Sequence, residues 1–186
     1  LLDNIDNIDF TGLAPVEASM LRMFYSAIWQ DSAEDLAADA VRDNLHLLSD
    51  SKIMLSEIKE LLTYNYNHID FIDEPVELGS DSPLDLHCSY TRDQIFLALG
   101  FMKPKTVREG VKWLPDRRCD VFFVTLNKSD KEYSPSTMYD DYSINEWLFH
   151  WQSQSTTSEH SPTGQRYMHH KERNSNILIF VREFKA

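Results

Sequence analysis

The sequence has few of the residues from which several kinds of functional site are built. It holds only five glycines and two cysteines among 186 residues, and it has no glycine-rich nucleotide loop or Walker A motif. Cys88 and Cys119 have neither zinc-ligand spacing nor the density of a disulfide framework. No apolar run approaches the roughly 18 residues of a membrane span, and no signal peptide is recognisable. The sequence therefore predicts a cytoplasmic protein with reduced thiols. The first residue is Leu1 and not Met, which predicts a segment of a longer chain.

Acidic residues outnumber basic ones, but the excess is confined to the first half of the chain. Residues 1–82 hold 17 Asp/Glu and 4 Lys/Arg, a net charge of −13, and residues 83–186 hold 13 and 14, a net charge of +1, which together recover the total of −12. Strong negative charge disfavours nucleic-acid binding. That objection applies to the first half and not to the second.

Hydrophobic periodicity also changes between the halves. Apolar residues at three- and four-residue spacing predict helices over 15–30, from about 32 to 48 and over 52–66, which suit a small helical bundle. The acidic, Pro- and Gly-containing segment 70–83 predicts a boundary. Beyond it the pattern predicts one helix over 93–99 and short strands over 84–87, 111–114, 120–126, 138–144, 148–154, 166–169 and 177–184. The predicted fold class is α+β, with a helical region over 1–82 and a mixed or antiparallel curved sheet or barrel over 83–186.

One histidine motif resembles catalytic chemistry without completing it. His169 and Lys171 match the first two positions of the His-x-Lys-x4-Asp motif of phospholipase-D-type nucleases, but Asn176 stands at the aspartate position. That chemistry also needs two copies of the motif, and this chain has one. His150, His169 and His170 lack the spacing of zinc ligands. The sequence thus predicts no catalytic residue, no metal and no cofactor, although a hydrolase acting on nucleotides stays open as an alternative.

The segment 139–173 is dense in aromatic, amide and basic side chains. Aromatic rings stack on bases, amides and carboxylates hydrogen-bond to base edges, and cations hold phosphates. The composition therefore indicates a recognition surface, for nucleic acid or for another protein, and the residues alone leave both open.

Several phrases give the second half a specific resemblance: FVTLNK at 123–128, YSP at 133–135, FHWQSQST at 149–156 and SPTGQRY at 161–167, with YTRDQI at 90–95 and REGV at 108–111. Over roughly residues 84–184 the chain resembles a C-terminal domain of bacterial proteins that also carry a phospholipase-D-type nuclease and a superfamily II helicase. This architecture is similar to that of modification-dependent (Type IV) restriction enzymes of the SauUSI type.

The resemblance implies a PUA/SRA-like target-recognition domain for double-stranded DNA that contains 5-methylcytosine or 5-hydroxymethylcytosine, read by base flipping. It also implies nuclease and helicase domains of a parent chain as partners, and it allows a homodimer. The acidic region 1–82 would couple the domain to the helicase.

Roles within the matching segments follow from side-chain type. The base-binding pocket is predicted to comprise Tyr139, Asp141, Tyr142, Trp151, Gln152, Ser153, Gln154 and Ser155, with the aromatic rings stacking on the base and Asp141 accepting from its exocyclic amine. Phosphate contacts are predicted for Lys128, Arg166, His169, His170 and Lys171. The alternative function is a protein–protein coupling module that links helicase and nuclease parts without DNA specificity of its own.

Overall fold

The computed structural model describes Ile5 and residues 7–30, 36–69, 76, 78, 81–128 and 141–184. Contacts along the chain divide it into two compact units, Leu1–Thr106 and Val107–Ala186. The described part of the first unit is mainly helical, and that of the second combines β-strands with one α-helix. The fold class is therefore a mixed α+β fold, as predicted.

Four α-helices lie in the described part of the first unit: α1 (Pro15–Trp29), α2 (Ala38–His46), α3 (Lys52–Asn67) and α4 (Arg92–Ala98). Pro15 occupies the first position of α1, where the proline ring's fixed φ suits a helix start. Thr91 caps α4, and the Gln94 side chain accepts from the Thr91 N–H at 2.9 Å, which completes a capping box. None of the described helices is both long and apolar enough to cross a membrane.

The core of the first unit brings together side chains that are distant in sequence. Its buried members are Ile5, Ile8, Leu21, Tyr25, Leu36, Val41, Leu45, Leu48 and Leu97. Helix α4 packs against α1, so this compact unit extends beyond the boundary predicted between residues 82 and 83. The functional division at that boundary stays a prediction. Helix α3 has no buried residue and contributes only partly buried side chains, Leu55 and Ile58, to the core.

A mixed three-stranded sheet organises the second unit. Its strands are β1 (Val111–Leu114), β2 (Cys119–Thr125) and β5 (Asn176–Arg182), in the order β1-β2-β5. Strand β2 runs antiparallel to β1 and parallel to β5, and its central position accounts for its nearly continuous burial. A separate antiparallel pair joins β3 (Tyr142–Ser143) to β4 (Phe149–His150). Within the described residues the strands do not close into a barrel.

Two predicted strands are wrong. Residues 166–169 belong to helix α5 (Pro162–Met168) and the turn after it. This helix starts at a strong signal, because the Ser161 hydroxyl accepts from the Gly164 N–H at 3.0 Å and Pro162 takes the first helical position. Residues 84–87 form a turn with a single bridge at Asp85, and His87 has a positive φ of 62°.

Candidate functional site

A buried ion pair joins β2 to α5. Asp120 is completely buried, and its two carboxylate oxygens accept hydrogen bonds from Arg166, at 2.7 Å from Nε and 2.8 Å from Nη2. The guanidinium group lies 4.5 Å from the ring centroid of Trp113, which pairs with Asp120 across β1 and β2. Hydrogen bonding to Asp120 raises the pKa of Arg166. This bidentate pair fixes α5 against one face of the sheet.

Three aromatic side chains pack together on the same face of β2. Phe122 stacks on Trp151 with ring centroids 4.2 Å apart, and Tyr167 meets both rings edge-on, at 5.0 Å from Phe122 and 5.7 Å from Trp151. Burial, followed by the negative charge of Asp120, raises the pKa of Tyr167 to about 12. The Tyr167 hydroxyl is therefore protonated at neutral pH and can both donate and accept hydrogen bonds.

Trp151 and Tyr167 line an open cavity of about 340 Å³. Its other lining residues are small, polar or flexible: Ser153, Thr157, Ser158, Glu159, Gly164 and Met168. The volume lies at the lower end of the roughly 300–1,000 Å³ typical of small-ligand sites. Aromatic surface, hydroxyl groups and one carboxylate suit a small planar ligand that carries hydrogen-bonding edges.

The first turn of α5 holds the loop that lines this cavity. The Ser158 carbonyl accepts from the backbone N–H of Ser161 at 3.0 Å and from its hydroxyl at 2.7 Å. The Glu159 carbonyl accepts from Nε2 of Gln165 at 3.0 Å. The backbone that carries the Glu159 side chain is thus fixed to a helix that is itself fixed to the sheet.

Gly164 lies where α5 and this loop make their closest approach, and its replacement tests that contact. A Cβ at this position would overlap the Ser158 carbonyl oxygen and stand 3.1 Å from that of Glu159. Because both obstacles are backbone, we expect Gly164→Ala to lower the free energy of unfolding by about 1–3 kcal/mol. Gly110→Ala is the matched control, since its Cβ would make an ordinary 3.5 Å contact with the Phe123 carbonyl. Urea denaturation should separate the two variants, and equal stabilities would contradict the tight approach.

Two of the predicted pocket residues, Trp151 and Ser153, line the cavity. Asp141 has other partners: its carboxylate accepts from Nζ of Lys128 at 2.7 Å and from the backbone N–H of Gln152 at 3.0 Å. The Asp141 and Lys128 side chains are only 4% and 8% exposed. Because so little of the Asp141 carboxylate is exposed to a ligand, the geometry favours a structural role for this ion pair.

The remaining predicted pocket residues that the structure describes lie in two places. Tyr139 is outside the described residues. Tyr142 is exposed and stacks on His150 across β3 and β4, with centroids 4.9 Å apart. Gln154 and Ser155 lie in the segment between β4 and the cavity loop, where Ser155 occupies a turn. Their contact with a base stays a prediction.

The predicted phosphate-binding residues fall into two groups. Arg166 and Lys128 form the first group, and each is paired with a carboxylate within the second unit, as described above. The second group follows the end of α5, where the His170 ring nitrogen Nδ1 lies 2.9 Å from the Tyr167 carbonyl and Lys171 is exposed. Phosphate contact by either group stays a prediction. No cluster of three metal-ligating side chains occurs in the part of the chain that the structure describes.

His169, in the second group, contacts an acidic side chain. Its Nδ1 lies 3.0 Å from the Glu172 carboxylate.

The pocket predicted from the sequence does not include six of the lining residues, Thr157, Ser158, Glu159, Gly164, Tyr167 and Met168. The last three recur at spacings of three and one, which places them on one face of a helix. Ser161 and Pro162 form a helix start signal, and this signal is the feature of the sequence that predicts such a helix.

Cys119 is the first residue of β2, and its reactivity tests whether solvent reaches the interior of the sheet at this point. Burial, followed by the charge of Asp120, raises the pKa of the Cys119 thiol to about 12. Between pH 9 and pH 12 the folded chain keeps this proton and the unfolded chain loses it, so stability is expected to fall as pH rises through that range.

At pH 9 we expect iodoacetamide to alkylate the partly buried Cys88 and to spare Cys119 until the chain is unfolded. Mass spectrometry of wild type and Cys88→Ser reads this directly, and native labelling of Cys119 in that variant would contradict it.

Comparison with known proteins gives one family. No curated protein and no solved structure was found to match the chain. A family model described as a domain of unknown function, DUF3427, matches residues 84–186. These 103 of the 186 residues include α4, the whole second unit and every residue that lines the cavity. More than half of the chain is thus covered, and the chain belongs to the DUF3427 family.

Proposed function

We propose that this chain is the DNA-recognition part of a modification-dependent (Type IV) restriction enzyme. In this proposal a 5-methylcytosine or 5-hydroxymethylcytosine flips out of double-stranded DNA into the cavity lined by Trp151 and Tyr167. The observation that carries the proposal is that cavity, since it combines about 340 Å³ of open space with aromatic and hydrogen-bonding walls. The chain binds DNA and leaves cleavage to other domains.

Stacking is the first contribution to binding. Trp151 is held by Phe122 and Tyr167, so little side-chain entropy is lost when a base is bound. Stacking of a base on an aromatic side chain contributes about 1–3 kcal/mol. That is comparable with the few kcal/mol needed to extrude a base from the duplex.

Hydrogen bonds to the base edge are the second contribution. Ser153, Thr157, Ser158, Glu159 and Met168 are among the residues that line the cavity, so their polar groups and the Met168 thioether are the candidates for contact with a base. The Ser153 hydroxyl donates to the Thr157 carbonyl at 3.1 Å, which leaves its lone pairs to accept. Met168 is suited to contact a 5-methyl group, because the thioether chain adapts to small apolar substituents.

Phosphate contacts fall to the turn after α5. His169, His170, Lys171 and Arg173 follow the helix that lines the cavity, and the last two are exposed. Because residues 83–186 carry a net charge of only +1, we expect few phosphate contacts and a shallow salt dependence. The PUA/SRA-like relation of the sheet, the bacterial cytoplasmic location, and the nuclease and helicase partners belong to the same proposal and come from the resemblance.

The test is a binding titration of the 186-residue chain with matched duplexes that carry one 5-methylcytosine, one 5-hydroxymethylcytosine or only cytosine. We expect at least about a tenfold preference for a modified duplex, equivalent to 1.4 kcal/mol. The preference should persist at low and high salt, because purely electrostatic contact does not distinguish the bases. Equal affinities for all three duplexes at both salt concentrations would refute the proposal.

A second function, coupling of nuclease and helicase parts through the first unit, is favoured by the exposed face of α3. Ile53, Leu61 and Tyr64 are large apolar side chains of that helix, and each is more than half exposed. Exposed apolar surface of this kind often marks a protein contact. Coupling alone predicts no DNA affinity in the titration above, together with capture of the isolated helicase part by the wild-type chain and not by Ile53→Asp/Leu61→Asp.

A further inference from the structure

We infer that Glu159 is the residue by which the cavity distinguishes 5-methylcytosine from thymine. This inference rests on the proposed function and goes further, because it assigns the discrimination to one side chain. Glu159 supplies the carboxylate among the residues that line the cavity, and no role was predicted for it from the sequence.

Thymine is the competitor that any reader of 5-methylcytosine must reject. It is 5-methyluracil, so it has the same ring size and the same methyl group. The two bases differ at position 4, where cytosine carries an amine that donates and thymine a carbonyl that accepts. They also differ at N3, which accepts in cytosine and donates in thymine. Stacking on Trp151 and contact between a methyl group and Met168 would therefore admit both bases.

The polar groups of the cavity differ in their ability to make this distinction. The hydroxyls of Thr157 and Ser158 can rotate, and each can serve as a donor or an acceptor. The Ser153 hydroxyl can also donate to a base, but only by giving up its hydrogen bond to the Thr157 carbonyl. An ionised carboxylate can only accept. Glu159 therefore favours the cytosine amine and is repelled by the thymine carbonyl, whereas the hydroxyl groups can adjust to either base.

The backbone at Glu159 is held by hydrogen bonds from the start of α5, which fixes the point from which its side chain extends. Its carbonyl is held by Gln165, and the carbonyl of the preceding Ser158 is held by Ser161, both from the start of α5. Asp141, the acceptor expected from the sequence, is already engaged by the Lys128 ammonium group. Among the residues that line the cavity, Glu159 is thus the acidic one, and in this inference its carboxylate takes the acceptor role.

The experiment compares duplexes that carry a single 5-methylcytosine·G pair, a single thymine·G mismatch or a cytosine·G pair at the same position. A mismatched base is extruded more easily than a paired one. A cavity that reads only the ring and the methyl group would therefore bind the thymine·G duplex more tightly. For the wild-type chain we expect 5-methylcytosine·G to bind roughly five- to a hundredfold more tightly than thymine·G.

Three variants test whether Glu159 is the source of the preference for 5-methylcytosine·G over thymine·G. Glu159→Gln should reduce it to about threefold or less, because a rotated amide offers its N–H to the thymine carbonyl. Glu159→Asp keeps a carboxylate and should retain a preference for 5-methylcytosine·G. Glu146→Gln removes the same charge from an exposed position in the turn between β3 and β4, and it should behave as wild type. Thermal unfolding of each variant shows that the comparison is made between folded chains.

The outcomes separate this inference from the proposed function. If Glu159→Gln keeps the full wild-type preference, or if wild type binds thymine·G as tightly as 5-methylcytosine·G, the inference is overturned. If wild type does not prefer 5-methylcytosine·G over cytosine·G, the inference is overturned as well. The proposed function itself fails only if the titration that includes 5-hydroxymethylcytosine also gives equal affinities for all three duplexes. A preference lost in Glu159→Gln and kept in Glu146→Gln supports both.

Discussion

Replacing Arg166 with methionine is expected to lower the free energy of unfolding by about 3–5 kcal/mol, the usual range when one partner of a buried ion pair is removed. The change would leave the Asp120 carboxylate in the central strand β2, with none of its surface exposed and without its bidentate partner. Urea denaturation measures the loss as a lower midpoint at constant slope.

Replacing Asp120 should lower the free energy of unfolding by less than replacing Arg166 does. Asp120→Asn leaves an amide oxygen that can still accept from Arg166, whose side chain is 20% exposed and can reach water. We expect a loss of about 1–3 kcal/mol for this variant. The double variant Asp120→Leu/Arg166→Met should recover much of the stability lost in Arg166→Met, because no buried charge remains unpaired.

A small effect of Arg166→Met would have a different meaning. If the variant keeps wild-type stability and loses affinity for DNA, Arg166 contacts phosphate as the sequence predicted, and the ion pair with Asp120 is not what holds α5. Stability and DNA affinity should therefore be measured on the same preparations.

Replacing Trp151 with alanine is expected to remove most of the preference for modified DNA. The variant loses the indole ring that lines the cavity and stacks on Phe122. A stacked base contributes about 1–3 kcal/mol, so affinity for the modified duplex should fall roughly tenfold or more. Trp151→Phe keeps an aromatic face and should retain much of the preference.

The chain supplies a matched control for this variant. Trp147 lies four residues earlier and is 83% exposed. Trp147→Ala should leave the preference intact if the cavity is the binding site. The opposite pattern, with binding lost in Trp147→Ala and kept in Trp151→Ala, would move the site to the turn between β3 and β4.

Features encoded by neighbouring residues could be predicted from the sequence. The capping box of Thr91 and Gln94 and the apolar run of β2 each depend on a few adjacent residues, and both are found in the structure. Helix α5 was also encoded locally, by Ser161-Pro162, but its length of seven residues gives too little periodicity to outweigh an apparent strand pattern.

Pairings between distant residues could not be predicted in this way. Asp120 and Arg166 are separated by 46 positions, and their contact depends on how α5 packs against a mixed sheet. Asp141 was assigned to the base from its chemical type, because nothing in the sequence shows that Lys128 reaches its carboxylate. Residue type therefore predicts a segment that lines part of the cavity, but only the packing shows that Asp141 is paired with Lys128 and that Glu159 is a lining residue.

Photocrosslinking tests most directly whether the modified base enters the cavity lined by Trp151 and Tyr167. A duplex with one 5-iodocytosine places a photoreactive atom where the methyl group of 5-methylcytosine would lie. After irradiation with the full 186-residue chain, mass spectrometry should locate the crosslink on Trp151, Tyr167 or Met168, which all line the cavity. Crosslinks confined to residues of the first unit, or to residues of the second unit outside the cavity, would contradict the proposed site.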